Sequence, residues 1–178
     1  MLFRSIEALC AKAATPYGAV AAVCVFGRFV GLCRRKLEGQ GIKIAAVVNF
    51  PQGAPDAAAA AREARLWVGE GAQEIDVVLP FEAMAAGKMS VSRDLVAAVR
   101  DACGRGVFLK AILETGALGD PSRIVEASRV AIDAGADFLK TSTGKRQPGA
   151  TPEAVRAMLT AIAQQRSEEH TSELQSRF

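Results

Sequence analysis

Lys140 stands near the end of an apolar run, Phe138-Leu139-Lys140-Thr141, which leads directly into Ser142-Thr143-Gly144-Lys145. A lysine on a buried strand is costly as a cation unless it is paired or its pKa falls, and a neutral lysine amine adds to a carbonyl to form a Schiff base. The turn that follows offers backbone N–H groups and the Lys145 cation, a combination suited to a phosphate. A second segment repeats the layout: Gly71-Ala72-Gln73-Glu74-Ile75-Asp76 and Gly135-Ala136-Asp137-Phe138-Leu139-Lys140 both put a polar side chain five residues beyond a glycine. If each is a helix-stop glycine followed by a strand, Asp76 and Lys140 occupy equivalent depths and, by the two-residue period, face the same way. Lys110 joins them, because in Leu109-Lys110-Ala111-Ile112-Leu113-Glu114 the parity that sends Leu109, Ala111 and Leu113 to one side turns Lys110 and Glu114 to the other. Each residue also has a plain structural reading. Lys140 can pack its stem and hold its amine in water, Asp76 can be a cap or ion-pair partner, Lys110 and Glu114 can be a buried pair, and Cys24 can be a small core residue.

Residues so placed need strands to carry them. β-like runs alternate with helical patterns along the chain, the signature of βαβ units and a parallel sheet. Five strands are expected, over roughly 20–26, 42–50, 74–79, 107–113 and 138–141, and most are near-continuous apolar runs of the kind found where both sheet faces are covered. Asp56, Asp120-Pro121 and Thr151-Pro152-Glu153 read as helix starts. Gly69, Gly71, Gly104 and Gly135 read as helix stops.

A chain of 178 residues with 50% hydrophobic content is long enough for one domain with a sizeable core. The net charge of +3 is small and its basic residues are dispersed, which argues against a nucleic-acid or membrane-surface partner and for a small molecule. No apolar run reaches the ~20 residues that cross a bilayer. Cys10, Cys24, Cys33 and Cys103 form no C-x-x-C pair and no leader is apparent, so a reducing cytoplasm is expected. The only histidine is His170, which excludes a Ser-His-Asp hydrolase, argues against a histidine metal site and leaves acid–base work to carboxylates, lysines, Tyr17, cysteines or water.

Four motifs occur in order: Val48-Asn49-Phe50-Pro51-Gln52-Gly53, Glu74-Ile75-Asp76-Val77-Val78, Leu109-Lys110-Ala111-Ile112-Leu113-Glu114-Thr115, and Ala134-Gly135-Ala136-Asp137-Phe138-Leu139-Lys140-Thr141-Ser142-Thr143-Gly144. From about Thr15 to Ala163 the chain resembles the deoxyribose-phosphate aldolase family. The resemblance implies a (β/α)8 TIM barrel and reversible cleavage of 2-deoxyribose 5-phosphate to glyceraldehyde 3-phosphate and acetaldehyde, with no cofactor and no metal. It also implies a small phosphorylated sugar as partner and a homo-oligomer for the full-length enzyme. On this resemblance Lys140 is the Schiff-base lysine, Asp76 belongs to the proton relay, and Thr143, Gly144 and Lys145 meet the phosphate. Cys24, Lys110, Asn49 and Phe50 line or flank the pocket.

Relative to the family pattern, the first strand, two strands after 151–163 and a Lys-x-x-Gly-Gly motif are not found, so an incomplete barrel of about five of eight strands is expected. Gly27, standing where a proline is usual, is expected to loosen its turn. Residues 166–176 resemble a translated frame of a sequencing-library adapter. The expected organisation is therefore a partial barrel over 1–165 and a non-native tail over 166–178. Beside the aldolase reading stand a phosphate-binding barrel remnant without turnover and another phosphate-handling barrel enzyme such as an isomerase.

Overall fold

Helix α1 (Leu2–Ala13) leads into a two-residue hairpin, β1 (Ala14–Thr15) and β2 (Gly18–Ala19), and then into the first of five strands that form one parallel sheet. The computed structural model describes the backbone of residues 2–175 and the side chains of residues 4–167. The five strands are β3 (Ala22–Phe26), β4 (Lys43–Val48), β5 (Glu74–Val78), β6 (Phe108–Ile112) and β7 (Phe138–Lys140), and each pairs with the next in chain order. Between and after them run α2 (Val30–Lys36), α3 (Ala57–Glu70), α4 (Phe81–Ala85), α5 (Met89–Cys103), α6 (Thr115–Leu118), α7 (Pro121–Asp133) and α8 (Pro152–Gln175). All five strands fall where the apolar runs predict them.

The pairing register assigns every strand residue to one of two faces. Val23, Val25, Ile44, Ala46, Val48, Ile75, Val77, Leu109 and Ala111 share the outer face and are buried, where α3, α5 and α7 pack. Burial of each larger aliphatic side chain there contributes roughly 1.5–3 kcal/mol. The inner face is chemically mixed: Cys24, Phe26, Glu74, Asp76, Phe108, Lys110, Phe138 and Lys140 all lie on it. The sheet thus separates a greasy helix-covered side from a side carrying charge.

Helix boundaries follow local chemistry. Asp56 Oδ1 accepts from Ala59 N at 2.8 Å, Asp120 Oδ1 from Ser122 N at 2.9 Å, and Thr151 Oγ1 from Ala154 N at 3.2 Å, each satisfying a first-turn amide that has no partner within its helix. Gly71 and Gly135 close their helices identically. The glycine N–H bonds to the carbonyl three residues back and the next N–H to the one five residues before it, with φ of 109° and 102°, the paired geometry that left-handed glycine permits.

Three local readings are corrected. Gly69 lies inside α3 rather than ending it. Gly27 is demanded by packing instead of marking a loosened turn, because a Cβ there would stand 1.9 Å from Trp67 Cε2. The final helix runs on to Gln175 rather than stopping near Ala163, since no Gly or Pro interrupts 153–175. The proposed tail boundary therefore falls within a continuous helix, and the side chains of 168–178 lie outside the described residues.

Candidate active site

Glycine-terminated helices feed both β5 and β7, so the sequence echo has a structural counterpart in the two strands that carry Asp76 and Lys140. Asp76 sits directly opposite Lys110 in the ladder, while Lys140 sits opposite Ile112. The two residues expected at equivalent depths are therefore offset by two positions in the register. An even offset preserves the facing, and a stagger between neighbouring strands is what barrel curvature requires.

On that face the charges converge. Lys140 Nζ stands 2.5 Å from Asp76 Oδ2. Lys110 Nζ lies 3.2 Å from Asp76 Oδ1 and 2.5 Å from Glu74 Oε2, and Lys43 Nζ approaches Glu74 Oε1 at 3.9 Å. Asp76 is fully buried, whereas the Lys140 side chain is 39% exposed, so the amine is the member of the pair that an incoming molecule meets. Burial alone lowers the pKa of Lys110, but its hydrogen bond to Glu74 and the Asp76 charge outweigh that and hold it above the ordinary lysine value. Lys110 therefore remains a cation beside Asp76. The Cys24 thiol donates toward Asp76 Oδ2 at 3.6 Å. Desolvation, followed by the Asp76 charge, pushes its pKa up to about 11.

A cavity of about 420 Å³ opens above this cluster, lined among others by Cys24, Phe26, Phe50, Lys140, Thr143 and Lys145. Phe26 and Phe50 meet edge to face at 5.7 Å and form its apolar wall. Gly144 is exposed in the turn after β7, with φ of 75°. The turn's donors are less free than its composition suggests. Thr143 N and Oγ1 donate to Glu114 Oε2 at 3.3 and 2.5 Å, and Lys145 N donates to Thr143 Oγ1 at 3.0 Å.

Asn49 organises a loop and does not line the cavity. It adopts φ of 57°, its amide nitrogen donates to Ala54 O and Val78 O, its Oδ1 accepts from Ala54 N, and its backbone N–H donates to Glu63. Lys110 and Glu114 do not pair with each other; Glu74 and Asp76 are the acids at Lys110, and Glu114 serves Thr143. Sequence reasoning passed over Glu74, although it shares Asp76's parity two residues earlier, which is the signal that could have found it.

The chain and its fold have counterparts among known proteins. Residues 1–168 match the family described as DeoC/LacD family aldolase. A crystal structure of a "putative deoxyribose-phosphate aldolase" from Toxoplasma gondii ME49 superposes with a TM-score of 0.88 at 31% identity, covering 96% of this chain and 64% of that one. One of the same description from Coccidioides immitis gives 0.84 at 30%, covering 90% and 62%. A protein described as "QR15, an Aldolase" gives 0.81 at 30%, covering 90% and 70%. The chain thus spans less than two thirds of the length of the first two, and its five parallel strands correspond to part of their barrel. With charged side chains on the inner face of such a sheet and a match over almost all of its length, this chain belongs to the DeoC/LacD family of aldolases.

Proposed function

We propose that the protein to which this chain belongs is a Schiff-base aldolase that reversibly cleaves 2-deoxyribose 5-phosphate to glyceraldehyde 3-phosphate and acetaldehyde. The observation that carries the reading is the 2.5 Å contact between Lys140 Nζ and Asp76 Oδ2 at the floor of an open cavity. For attack, Lys140 gives up a proton, and Asp76 Oδ2 is the acceptor within reach. The amine adds to the C1 aldehyde and water leaves, producing a protonated imine that withdraws electrons better than the carbonyl it replaces. Removal of the proton from the C3 hydroxyl, directly to Asp76 or through a water it orients, lets the C2–C3 bond break. Its electron pair enters the imine as an enamine, and the C3–C5 fragment departs as glyceraldehyde 3-phosphate. Protonation of the enamine at C2 and addition of water to the imine release acetaldehyde and the free amine.

Lys110, cationic between Glu74 and Asp76, holds the Asp76 carboxylate in place through its 3.2 Å contact with Oδ1. Gly144 and the Lys145 ammonium are the phosphate contacts in this reading, and Phe26 and Phe50 exclude water from the two-carbon end. The four cysteines suit the reducing, cytoplasmic setting inferred for the protein.

Release of both products from 2-deoxyribose 5-phosphate is the test. The full-length protein is expected to form them in equal amounts, its Lys140→Arg variant to form neither, and its Asp76→Asn variant to be slowed by roughly 10²–10⁴-fold, the range for loss of a positioned acid–base group. Unimpaired turnover in Lys140→Arg would overturn the assignment.

A further inference from the structure

Glu114 is fully buried at the end of β6, in a left-handed conformation with φ of 51° and ψ of 58° that is disfavoured for a non-glycine residue. Three connections leave this point for the strand that carries the amine. On either side of it, Leu113 N donates to Lys140 O at 3.0 Å and Thr115 N to Thr141 O at 2.8 Å. From its side chain, Oε2 accepts from the N–H and hydroxyl of Thr143, whose Oγ1 accepts the Lys145 N–H. Residues 113–115 therefore span from the carbonyl of Lys140 to the turn holding Gly144 and Lys145, with Glu114 supplying the side-chain link to Thr143. Its other oxygen is buried with no hydrogen-bond partner among the described residues. A carboxylate desolvated in this way opposes folding, which argues against a purely stabilising role.

We propose that Glu114 is a positioning residue that sets the distance between the Lys140 amine and the turn that takes the substrate's phosphate, and so determines the preference for a phosphorylated over an unphosphorylated sugar. The inference rests on the aldolase reading. It adds that Glu114 acts through Thr143 and never touches substrate. With both Thr143 donors engaged by Glu114, the exposed Gly144 and Lys145 are left for the phosphate.

The test is the ratio of adduct formed on Lys140 with 2-deoxyribose 5-phosphate to that formed with 2-deoxyribose, each trapped by borohydride under the same conditions. Comparing one protein with another cancels the differing aldehyde content of the two sugars. Wild type is expected to favour the phosphorylated sugar. Glu114→Ala is expected to reduce the ratio by about tenfold, equivalent to ~1.4 kcal/mol, and Glu114→Gln, which keeps an acceptor, to retain most of it. Should Glu114→Ala fail to fold, Thr143→Val breaks the same link from the other end, and Thr143→Ser restores it. Full preference in a folded Glu114→Ala or Thr143→Val variant would overturn the inference, as would a wild type that forms both adducts without preference. A wild type that forms no adduct even with acetaldehyde would instead overturn the Schiff-base reading, and this inference with it.

Discussion

Cys24 shows how the site treats a reactive group. It opens onto the cavity beside Lys140, yet loss of solvent around the sulfur, followed by the Asp76 charge, raises its thiol to a pKa of about 11, so the thiolate is scarce at pH 7. Alkylation of Cys24 by iodoacetamide is expected to be slow at neutral pH and to accelerate steadily up to about pH 11; rapid labelling at pH 7 would show the thiol to be activated. Lys110 has the opposite sense. Its folded pKa is raised above the 10.5 of a free lysine, so the stability it contributes is fully present below that value and is lost as pH rises through the folded one. Glu74→Gln should lower stability to denaturant by roughly 1.5–3 kcal/mol, the scale for a hydrogen bond to a charged group. The deficit relative to wild type should shrink once Lys110 deprotonates, and a deficit constant from pH 8 to well above 10.5 would contradict the pairing.

At the scale of elements, the strands were legible because a parallel sheet covered by helices favours near-continuous apolar runs, and 22–26 and 44–48 are such runs. The repeated Gly-x-x-x-x-polar layout was legible because two helices end in the same paired capping geometry. What the sequence hid depends on contacts between distant segments. The two-residue register offset between Asp76 and Lys140 is a property of barrel curvature, and the left-handed turns at Asn49 and Glu114 arise where each side chain finds partners across the fold. Trp67 occupies the space that makes Gly27 necessary, a relation between residues 40 positions apart. Gly27→Ala is accordingly expected to destabilise more than Asp56→Ala, whose lost cap costs ~1 kcal/mol; urea melts of the two variants give the comparison, and a neutral Gly27→Ala would contradict the packing.

At the scale of the whole molecule, β3 and β7 each have one neighbour in the five-stranded sheet, so the described residues leave two strand edges unpaired. Phe26, Phe108 and Phe138 are partly exposed on the inner face. Open edges and exposed aromatic surface favour association. The 178-residue chain on its own is expected to bind a hydrophobic dye and to sediment well above its 18.7 kDa monomer mass. A monomer with a sharp cooperative melt would contradict this. Among the described residues no helix is long and apolar enough to cross a membrane.

The claim beneath all of this is that one amine, held against one buried carboxylate, forms a covalent bond with a carbonyl. Incubation with acetaldehyde, reduction by borohydride and peptide mass mapping test it most directly. The predicted result is an ethyl group on Lys140, absent in Lys140→Arg and formed more slowly in Asp76→Asn. Ethylation spread over the exposed lysines, with Lys140 unmodified, would contradict the account.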